Sequence, residues 1–271
     1  MDNNMAGNEY RKCIFAFLDI LGFKNIVVSV GSSSDRAMKF VRSLDRIING
    51  CIQSCTECQE TQIDALNIQY SIFSDSICLW CYIDEDENFS KNGRYSSEYM
   101  SKCYSTTLTL CRIIANIQIR GLTEGIIFRG AISVGQHYCC NNVTFSNALV
   151  KAYNAESTFS IYPRVILFSF DDDCILTALL DSLLHTGYVT EEDWVYIDYL
   201  RVLYPTLRFQ HDLISADLEI HKQLITKGLC DNSDSPNVLE KYIWLAKYHN
   251  SRLMSGYEEK QIILDESISG F

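Results

Sequence analysis

The sequence predicts an α+β protein in which helices cover one face of a sheet and a helical region follows at the C-terminus. Two observations support this class. Over residues 1 to 170, short β-rich runs alternate with longer stretches of helical periodicity. After the three aspartates at 171 to 173, only helical patterns and short linkers follow. With 271 residues, 47% of them hydrophobic, and 3 prolines, the chain can bury a sizeable core.

Apolar and β-rich runs predict the strands. The first run (CIFAFLDI) stays uncharged until Asp19, as in a central strand that is covered on both faces. The second and third runs flank Asp75, which predicts a hairpin with its tip at Ser74-Asp75-Ser76. The predicted strands are residues 13–20, 67–74, 76–83, 126–135 with a continuation to 140, and 164–170.

Apolar residues at helical spacing predict the helices. From Ser34 to Cys55 they recur every three or four positions, with charged residues between them. One predicted helix begins at residue 34, and the others cover residues 98–120, 144–157, 174–185, 214–228 and 236–255. The order βα, ββ, αβ matches the ferredoxin-like palm, a fold that hosts many functions.

This organisation divides the chain into three predicted parts. Residues 1–12 form an N-terminal tail, and residues 13–170 form the palm-type domain. Residues 171–271 form a helical extension that we expect to pack on that domain.

The charge balance disfavours several classes of partner. The chain has 23 Lys+Arg and 34 Asp+Glu, a net charge of −11, whereas a broad grip on DNA or RNA needs a basic face. No apolar run reaches the ~18 to 20 residues that cross a bilayer, and the N-terminus lacks a signal pattern. We therefore expect a cytoplasmic protein that binds neither membranes nor nucleic acid polymers.

Cysteine is abundant, with 12 residues. Cys51, Cys55 and Cys58 could begin a zinc site, but the second half of such a site is missing, since the pair Cys139-Cys140 has only His137 beside it. Without an export signal the thiols should be reduced, and free thiols that fill core space are the simpler interpretation.

Two carboxylates lie where predicted strands end or turn. Asp19 closes the first strand and Asp75 lies at the hairpin tip, and these places are neighbours in a palm-type sheet. Two close carboxylates repel unless a cation lies between them, which indicates one or two hard divalent ions, Mg²⁺ or Mn²⁺. The alternative is ordinary: one aspartate caps a helix and the other occupies a turn.

The segment after Asp19 could bind phosphate. Gly22 lets the backbone approach a ligand closely, and the N–H groups at the start of a helix attract anions. A nucleoside triphosphate fits such a site, because divalent ions would balance its roughly four negative charges.

Four motifs resemble those of class III nucleotide cyclase catalytic domains. FAFLDILGFK at residues 15–24 is similar to their opening motif, and IFSDSICLW at 72–80 is similar to their second metal motif, with Ser74 in place of a glycine. FRGAISVG at 128–135 resembles their next central strand, and FSNALVKAYNAES at 145–157 resembles the helix that follows. The resemblance covers roughly residues 13–170, in the family's order.

The resemblance implies two metals, Mn²⁺ or Mg²⁺, held by the carboxylates of Asp19 and Asp75 and the carbonyl of Ile20. It implies that Leu21, Gly22 and Phe23 offer N–H groups to the triphosphate. The ribose 3′-hydroxyl would attack the α-phosphate and release pyrophosphate, giving a 3′,5′-cyclic nucleotide. The family pairs two domains head to tail with active sites between them, which implies a homodimer.

Four positions depart from the purine cyclases of this family. The base-reading positions correspond to Ser71 and to the neighbourhood of Val143, and the transition-state asparagine and arginine correspond to the neighbourhood of Val150 and Asn154. The loss of the base readers argues against ATP and GTP as substrates. The loss of the arginine leaves developing phosphate charge without its usual partner.

With these departures, and with KYIWLAKYHN at 241–250, the sequence is similar to the pyrimidine cyclases of Pycsar antiphage defence. That resemblance implies cUMP or cCMP as the product and a separate effector that the product activates. UTP and CTP both remain open as substrates. The candidate nucleotide-binding residues are Leu21, Gly22, Phe23, Lys24, Tyr70 and Ser71.

Arg129 is the third candidate catalytic residue, beside Asp19 and Asp75. It lies in mid-strand, where a positive charge is seldom without a partner or ligand, so it could replace the missing arginine. A buried ion pair with an acid such as Glu156 is an equal alternative. Tyr70 and Phe73 lie near the expected base pocket, although aromatic residues there are as often simple core.

Two other functions remain open. A degenerate cyclase fold would bind a nucleotide or a protein partner without turnover, as the missing asparagine and arginine allow. A palm-type polymerase is less consistent with the sequence, because Ser74-Asp75-Ser76 has one acid where that family has two.

Overall fold

A computed structural model describes residues 10–57, 67–83, 94–140, 143–169, 174–206 and 211–264. The strands are β1 Arg11–Ile20, β2 Gln69–Phe73, β3 Ser76–Tyr82, β4 Phe128–Cys140, β5 Val143–Ser146, β6 Val165–Leu167, β7 Val189–Glu191 and β8 Val195–Ile197. The α-helices are α1 Phe23–Val30, α2 Ser34–Glu57, α3 Ser97–Thr123, α4 Asn147–Phe159, α5 Cys174–Leu184, α6 Tyr199–Thr206, α7 His211–Asp231 and α8 Pro236–Arg252. A 3₁₀ turn, Glu258–Lys260, follows.

The strands form one sheet of eight, in the order β2-β3-β1-β4-β6-β8-β7, with β5 paired to β4. β1 is antiparallel to both of its neighbours, β3 and β4, and β2 is antiparallel to β3. Each of the two helical crossovers therefore skips one strand, which is the double split βαβ of the ferredoxin-like palm. The predicted α+β palm with a helical C-terminal region is confirmed.

β1 lies at the centre of the palm and is buried on both faces. Its side chains alternate: Ile14, Ala16 and Leu18 join the main core under α2 and α3, while Phe15 and Phe17 join a smaller cluster on the other face. This explains why the run is apolar at successive positions rather than at every second one.

The helix α4 packs on the second face, whereas the sequence predicted helices on one face only. Its small residues Ala148 and Ala152 lie in the cluster with Phe15 and Phe17. A Cβ atom on Gly135 of β4 would lie 2.9 Å from the backbone nitrogen of Ala148, so glycine is what permits this close approach.

The helix α4 also begins later than predicted. The residues Val143–Ser146 form β5, which folds back on β4, because a β-branched and aromatic run favours strand pairing. The hydroxyl of Ser146 then accepts a hydrogen bond from the N–H of Leu149 at 2.9 Å, which caps the helix and fixes its start at Asn147.

The sheet continues past residue 170. There the sequence predicted helices alone, yet β7 and β8 extend the sheet beyond β6. Three-residue strands are too short to show alternation, which is why the pattern did not reveal them. The fully buried Arg164 anchors this edge through an ion pair with Asp193, and its guanidinium lies over the ring of Tyr196.

The helix α8 packs across the C-terminal part of the chain. The hydroxyl of Tyr248 donates a hydrogen bond to Asp198 at 2.8 Å, and Arg252 pairs with the same carboxylate at 2.6 Å. None of the helices in the described ranges is long and apolar enough to cross a membrane.

His137 gives the fold a pH dependence that can be measured. Its ring is 1% exposed among Phe15, Trp80 and Tyr82, neither ring nitrogen has a hydrogen-bond partner in the described part of the chain, and burial lowers its pKa to about 4. Because the unfolded chain takes up a proton near pH 6.5 and the native ring does so only near pH 4, acid favours unfolding within that window.

We expect His137→Phe to remove this contribution. Between pH 6.5 and 4 the wild type should lose about 3 kcal/mol of unfolding free energy more than the variant, as judged by urea unfolding at each pH. His185→Asn, at an exposed histidine, is the control and should follow the wild type. Identical curves for wild type and His137→Phe would contradict a buried neutral imidazole.

Candidate functional site

Asp19 and Asp75 lie at neighbouring ends of β1 and β3. Asp19 is opposite Ser76 in the antiparallel register, and the N–H of Ile20 donates a hydrogen bond to the carbonyl of Asp75 at 3.1 Å. Burial raises the pKa of Asp19, the hydrogen bond from Arg129 lowers it, and the nearby carboxylate of Asp75 raises it again. The structure thus brings the two predicted carboxylates to one edge of the sheet.

Arg129 lies directly across from Asp19, on β4. Its Nε donates a hydrogen bond to Asp19 Oδ2 at 2.9 Å, and the same nitrogen lies 2.8 Å from Glu156 Oε1. The ion pair with Glu156 that the sequence suggested is therefore present, and Asp19 shares it. Whether Arg129 also contacts phosphate stays a prediction.

Glu156 reaches this cluster from α4. Its side chain is 3% exposed, and burial raises its pKa to about 7, with Arg129 opposing the shift and Asp19 adding to it. Its Oε1 has no hydrogen-bond partner within the described residues, although the guanidinium is close. The buried Glu156 and the partly buried Asp19 thus share one guanidinium.

In the turn after β1, one of the three N–H groups predicted to bind phosphate is already engaged. The N–H of Leu21 already donates to the carbonyl of Ile127 at 2.9 Å, so it cannot serve a phosphate in this arrangement. Gly22 has φ +74, and a Cβ there would meet no atom within 4 Å, so open space adjoins the backbone. Within the described ranges, the N–H groups of Gly22, Phe23 and Lys24 at the start of α1 have no partner.

The residues near the expected base pocket divide between the two faces of the sheet. The Tyr70 hydroxyl donates to Asn49 of α2 at 2.9 Å, so this ring lies on the helix-covered face, away from Asp19. Ser71 and Phe73 point to the opposite face, and both are exposed. The roles proposed for Tyr70 and Ser71 stay predictions, but only Ser71 shares the face of Asp19.

Sequence reasoning missed Lys241. This residue of α8 interacts electrostatically with Asp19, Arg129 and Glu156. Nothing in its spacing predicts this, because its position depends on how the last helix packs on the rest of the chain. A lysine on an amphipathic helix is common, so the local sequence does not indicate that Lys241 belongs to the site.

The donor set fits a hard divalent ion better than zinc. Asp19 and Asp75 offer carboxylate oxygens, which Mg²⁺ and Mn²⁺ prefer, and two carboxylates suffice where phosphate oxygens complete the shell. In the described ranges no group of three or more His, Cys, Asp or Glu residues could hold a metal, so Cys51, Cys55 and His137 form no zinc centre there. Cys58 lies outside the described residues.

Comparison with known proteins adds little. The sequence matches no protein-family model and no curated protein. Among solved structures, the crystal structure of the guanylyl cyclase Cya2 aligns with a TM-score of 0.33 and 9% identity, over 70% of this chain and 93% of that chain. A likeness at that TM-score carries no weight, so the fold class rests on the strand order itself.

The hairpin that carries Asp75 contains a strained residue. Ser74, the first residue of the two-residue turn, has φ +58, a conformation that costs an L-residue about 1 kcal/mol. The motif resemblance aligns Ser74 with a glycine of the family. Glycine adopts a positive φ without strain, which is the backbone conformation at this position.

We expect Ser74→Gly to raise the unfolding free energy by about 0.5 to 1 kcal/mol, because glycine adopts a positive φ without strain. Ser76→Gly, in the adjacent β3 position, should lower it, since glycine weakens a regular strand. Chemical denaturation measures both. Destabilisation by Ser74→Gly would show that the hydroxyl matters more than the backbone.

Proposed function

We propose that this chain is a nucleotide cyclase that converts UTP or CTP into the 3′,5′-cyclic monophosphate and pyrophosphate. One observation carries the proposal: the hydrogen bond between Ile20 and Asp75 joins the end of β1 to the hairpin tip. It brings together the two aspartates that the motif resemblance assigns to metal binding. The open backbone at Gly22 adjoins them.

In this proposal Asp19, Asp75 and the carbonyl of Ile20 hold two divalent ions, Mg²⁺ or Mn²⁺. Bound there, such ions would supply positive charge to the phosphates and a more acidic ribose 3′-hydroxyl. The reaction forms a bond between the 3′-oxygen and the α-phosphorus and breaks the bond from the α-phosphorus to the oxygen that bridges it to the β-phosphorus. Pyrophosphate leaves with that oxygen, and the proton of the 3′-hydroxyl passes to water.

The residues of the chain would bind and orient the substrate. The N–H groups of Gly22, Phe23 and Lys24 would bind phosphate oxygens at the start of α1, where backbone dipoles favour negative charge. Arg129 holds Asp19 in place before substrate binds, because its Nε bridges that carboxylate and Glu156. This support fixes one carboxylate in the orientation that cation binding needs.

The residues at the base-reading positions support pyrimidine selectivity. Ser71 and Val143 are both exposed, and neither offers the paired donors and acceptors that a purine edge requires. Together with the resemblance to Pycsar cyclases, this supports a role in antiphage defence, where cUMP or cCMP would act as a second messenger for a separate effector.

A homodimer would cover an apolar surface near this site. The exposed fractions are 65% for Val143, 68% for Phe145, 57% for Val150 and 53% for Tyr153, all on β5 and α4. Adjacent apolar residues at such exposure are typical of an interaction surface. Pairing of two copies here would bring β5 and α4 of one copy toward the other copy's site.

We expect Asp19→Asn and Asp75→Asn to lower pyrophosphate release from UTP or CTP by at least about a hundredfold, because each removes a charge from the cation site. The assay incubates pure protein with each of the four nucleoside triphosphates and Mn²⁺, and products are identified by mass. Asp181→Asn, at an exposed aspartate of α5, is the control and should keep full activity.

Turnover by Asp19→Asn or Asp75→Asn at the wild-type rate would refute the metal roles. Turnover of ATP or GTP in preference to pyrimidines would refute the substrate class. Thermal unfolding of each variant separates loss of activity from loss of fold.

A second candidate function has one specific observation in its favour. Arg129 already forms an ion pair with Asp19, which lowers the need for a metal at that carboxylate. A degenerate cyclase fold that binds a nucleotide or a protein partner would show this pairing and would lack the transition-state asparagine and arginine. It predicts triphosphate binding without turnover under any metal.

The dimer surface can be tested separately from catalysis. We expect Val150→Glu to convert a dimer to a monomer in light scattering after size exclusion, because it places charge in the apolar surface of β5 and α4. Val41→Glu, on α2 at a similar exposure of 62%, is the control and should leave the mass unchanged. A wild-type protein that is monomeric at all concentrations would contradict the homodimer.

A further inference from the structure

Lys241 is a half-buried cation at the edge of the carboxylate cluster. It lies in the second turn of α8, and within the described ranges its ammonium makes no hydrogen bond and no ion pair. A lysine that leaves water usually gains a partner, because the charge loses hydration when it is buried. An ammonium in this state is suited to a ligand that supplies the missing negative charge.

Packing places this part of α8 beside the end of β1. Leu245 and Ala246 share a buried cluster with Ile127, and Leu21 packs against the same cluster. Residues four apart lie on one face of a helix, so Lys241 is one turn from Leu245 on the face that contributes to this cluster. Leu21 immediately precedes Gly22, where the backbone is open.

A second contact fixes the first half of α8. The hydroxyl of Tyr162 donates a hydrogen bond to Glu240 at 2.8 Å, and the Tyr162 ring stacks on Trp244 with centroids 5.6 Å apart. Tyr162 immediately precedes the segment that enters β6, the neighbour of β4. Lys241, adjacent to Glu240, is therefore held near the strand that carries Arg129.

The electrostatic surroundings agree with this placement. Burial lowers the pKa of Lys241, and the Arg129 guanidinium lowers it further, while the carboxylates of Asp19 and Glu156 raise it. The three charged side chains of the site therefore all act electrostatically on the ammonium. Unlike Arg129, it is committed to none of them by a direct contact.

We propose that Lys241 binds the phosphate chain of the nucleoside triphosphate, and that α8 thereby supplies the positive charge missing near Val150 and Asn154. The inference rests on the proposed function, since it concerns the substrate of the same site. Arg129 is shared by two carboxylates and has little positive charge left to offer. An ammonium on a flexible stem suits phosphate oxygens as a point charge.

Calorimetric titration of the full chain with tripolyphosphate and Mg²⁺ tests this directly. Loss of a charged hydrogen bond should weaken binding at least about tenfold in Lys241→Met, while Lys241→Arg should stay within about threefold of the wild type. Lys241→Gln is a second neutral variant, in case Lys241→Met unfolds. The control, Lys247→Met at an exposed lysine of the same helix, should bind as the wild type does.

The outcomes separate this inference from the proposed function. In one outcome the wild type releases pyrophosphate from UTP or CTP while the neutral Lys241 variants bind tripolyphosphate with unchanged affinity. That result overturns the role of Lys241 and leaves the proposed cyclase activity intact. If no triphosphate is turned over but tripolyphosphate binding depends on Lys241, the phosphate-binding role of Lys241 is supported and the proposed cyclase activity is refuted. Absence of binding to the wild type overturns the inference outright.

Discussion

The candidate site depends on one constraint, the position of β1 between two antiparallel neighbours. β3 and β4 fix the register of β1 from both sides, so its last residues meet the start of each neighbour. On the β3 side, the hydrogen bond between Ile20 and Asp75 is the last backbone contact of β1. On the β4 side, Asp19 forms an ion pair with Arg129. A shift of one residue would turn Asp19 into the helix-covered core.

Local patterns sufficed to predict this meeting of Asp19 and Asp75. A strand end and a hairpin tip are signalled by a few consecutive residues, and the palm topology then makes them neighbours. Successive residues of a strand point to opposite faces of the sheet, so Tyr70 and Ser71 cannot share a face. The position of Tyr70 under α2 could therefore be predicted from the strand alternation.

Other features depended on tertiary contacts that no local pattern encodes. The short strands β7 and β8 pair with each other, and β8 joins the sheet by pairing with β6 at Ile166 and Tyr196. α4 lies on the second face because Gly135 and Ala148 permit close packing. The approach of α8 to Ile127 joins residues more than a hundred positions apart, so the presence of Lys241 near Asp19 followed only from the structure.

The balance of buried charge gives the cluster its chemical character. Asp19 and Glu156 both lose hydration, and one guanidinium contacts both, so neither acid is fully compensated. Burial accordingly raises the pKa of each of them. If Arg129 served only to stabilise the fold, one acid opposite its guanidinium would be enough to balance the charge. When ionised, Asp19, Asp75 and Glu156 together carry more negative charge than Arg129 alone compensates, and Lys241 is a further positive charge that interacts with Asp19 and Glu156.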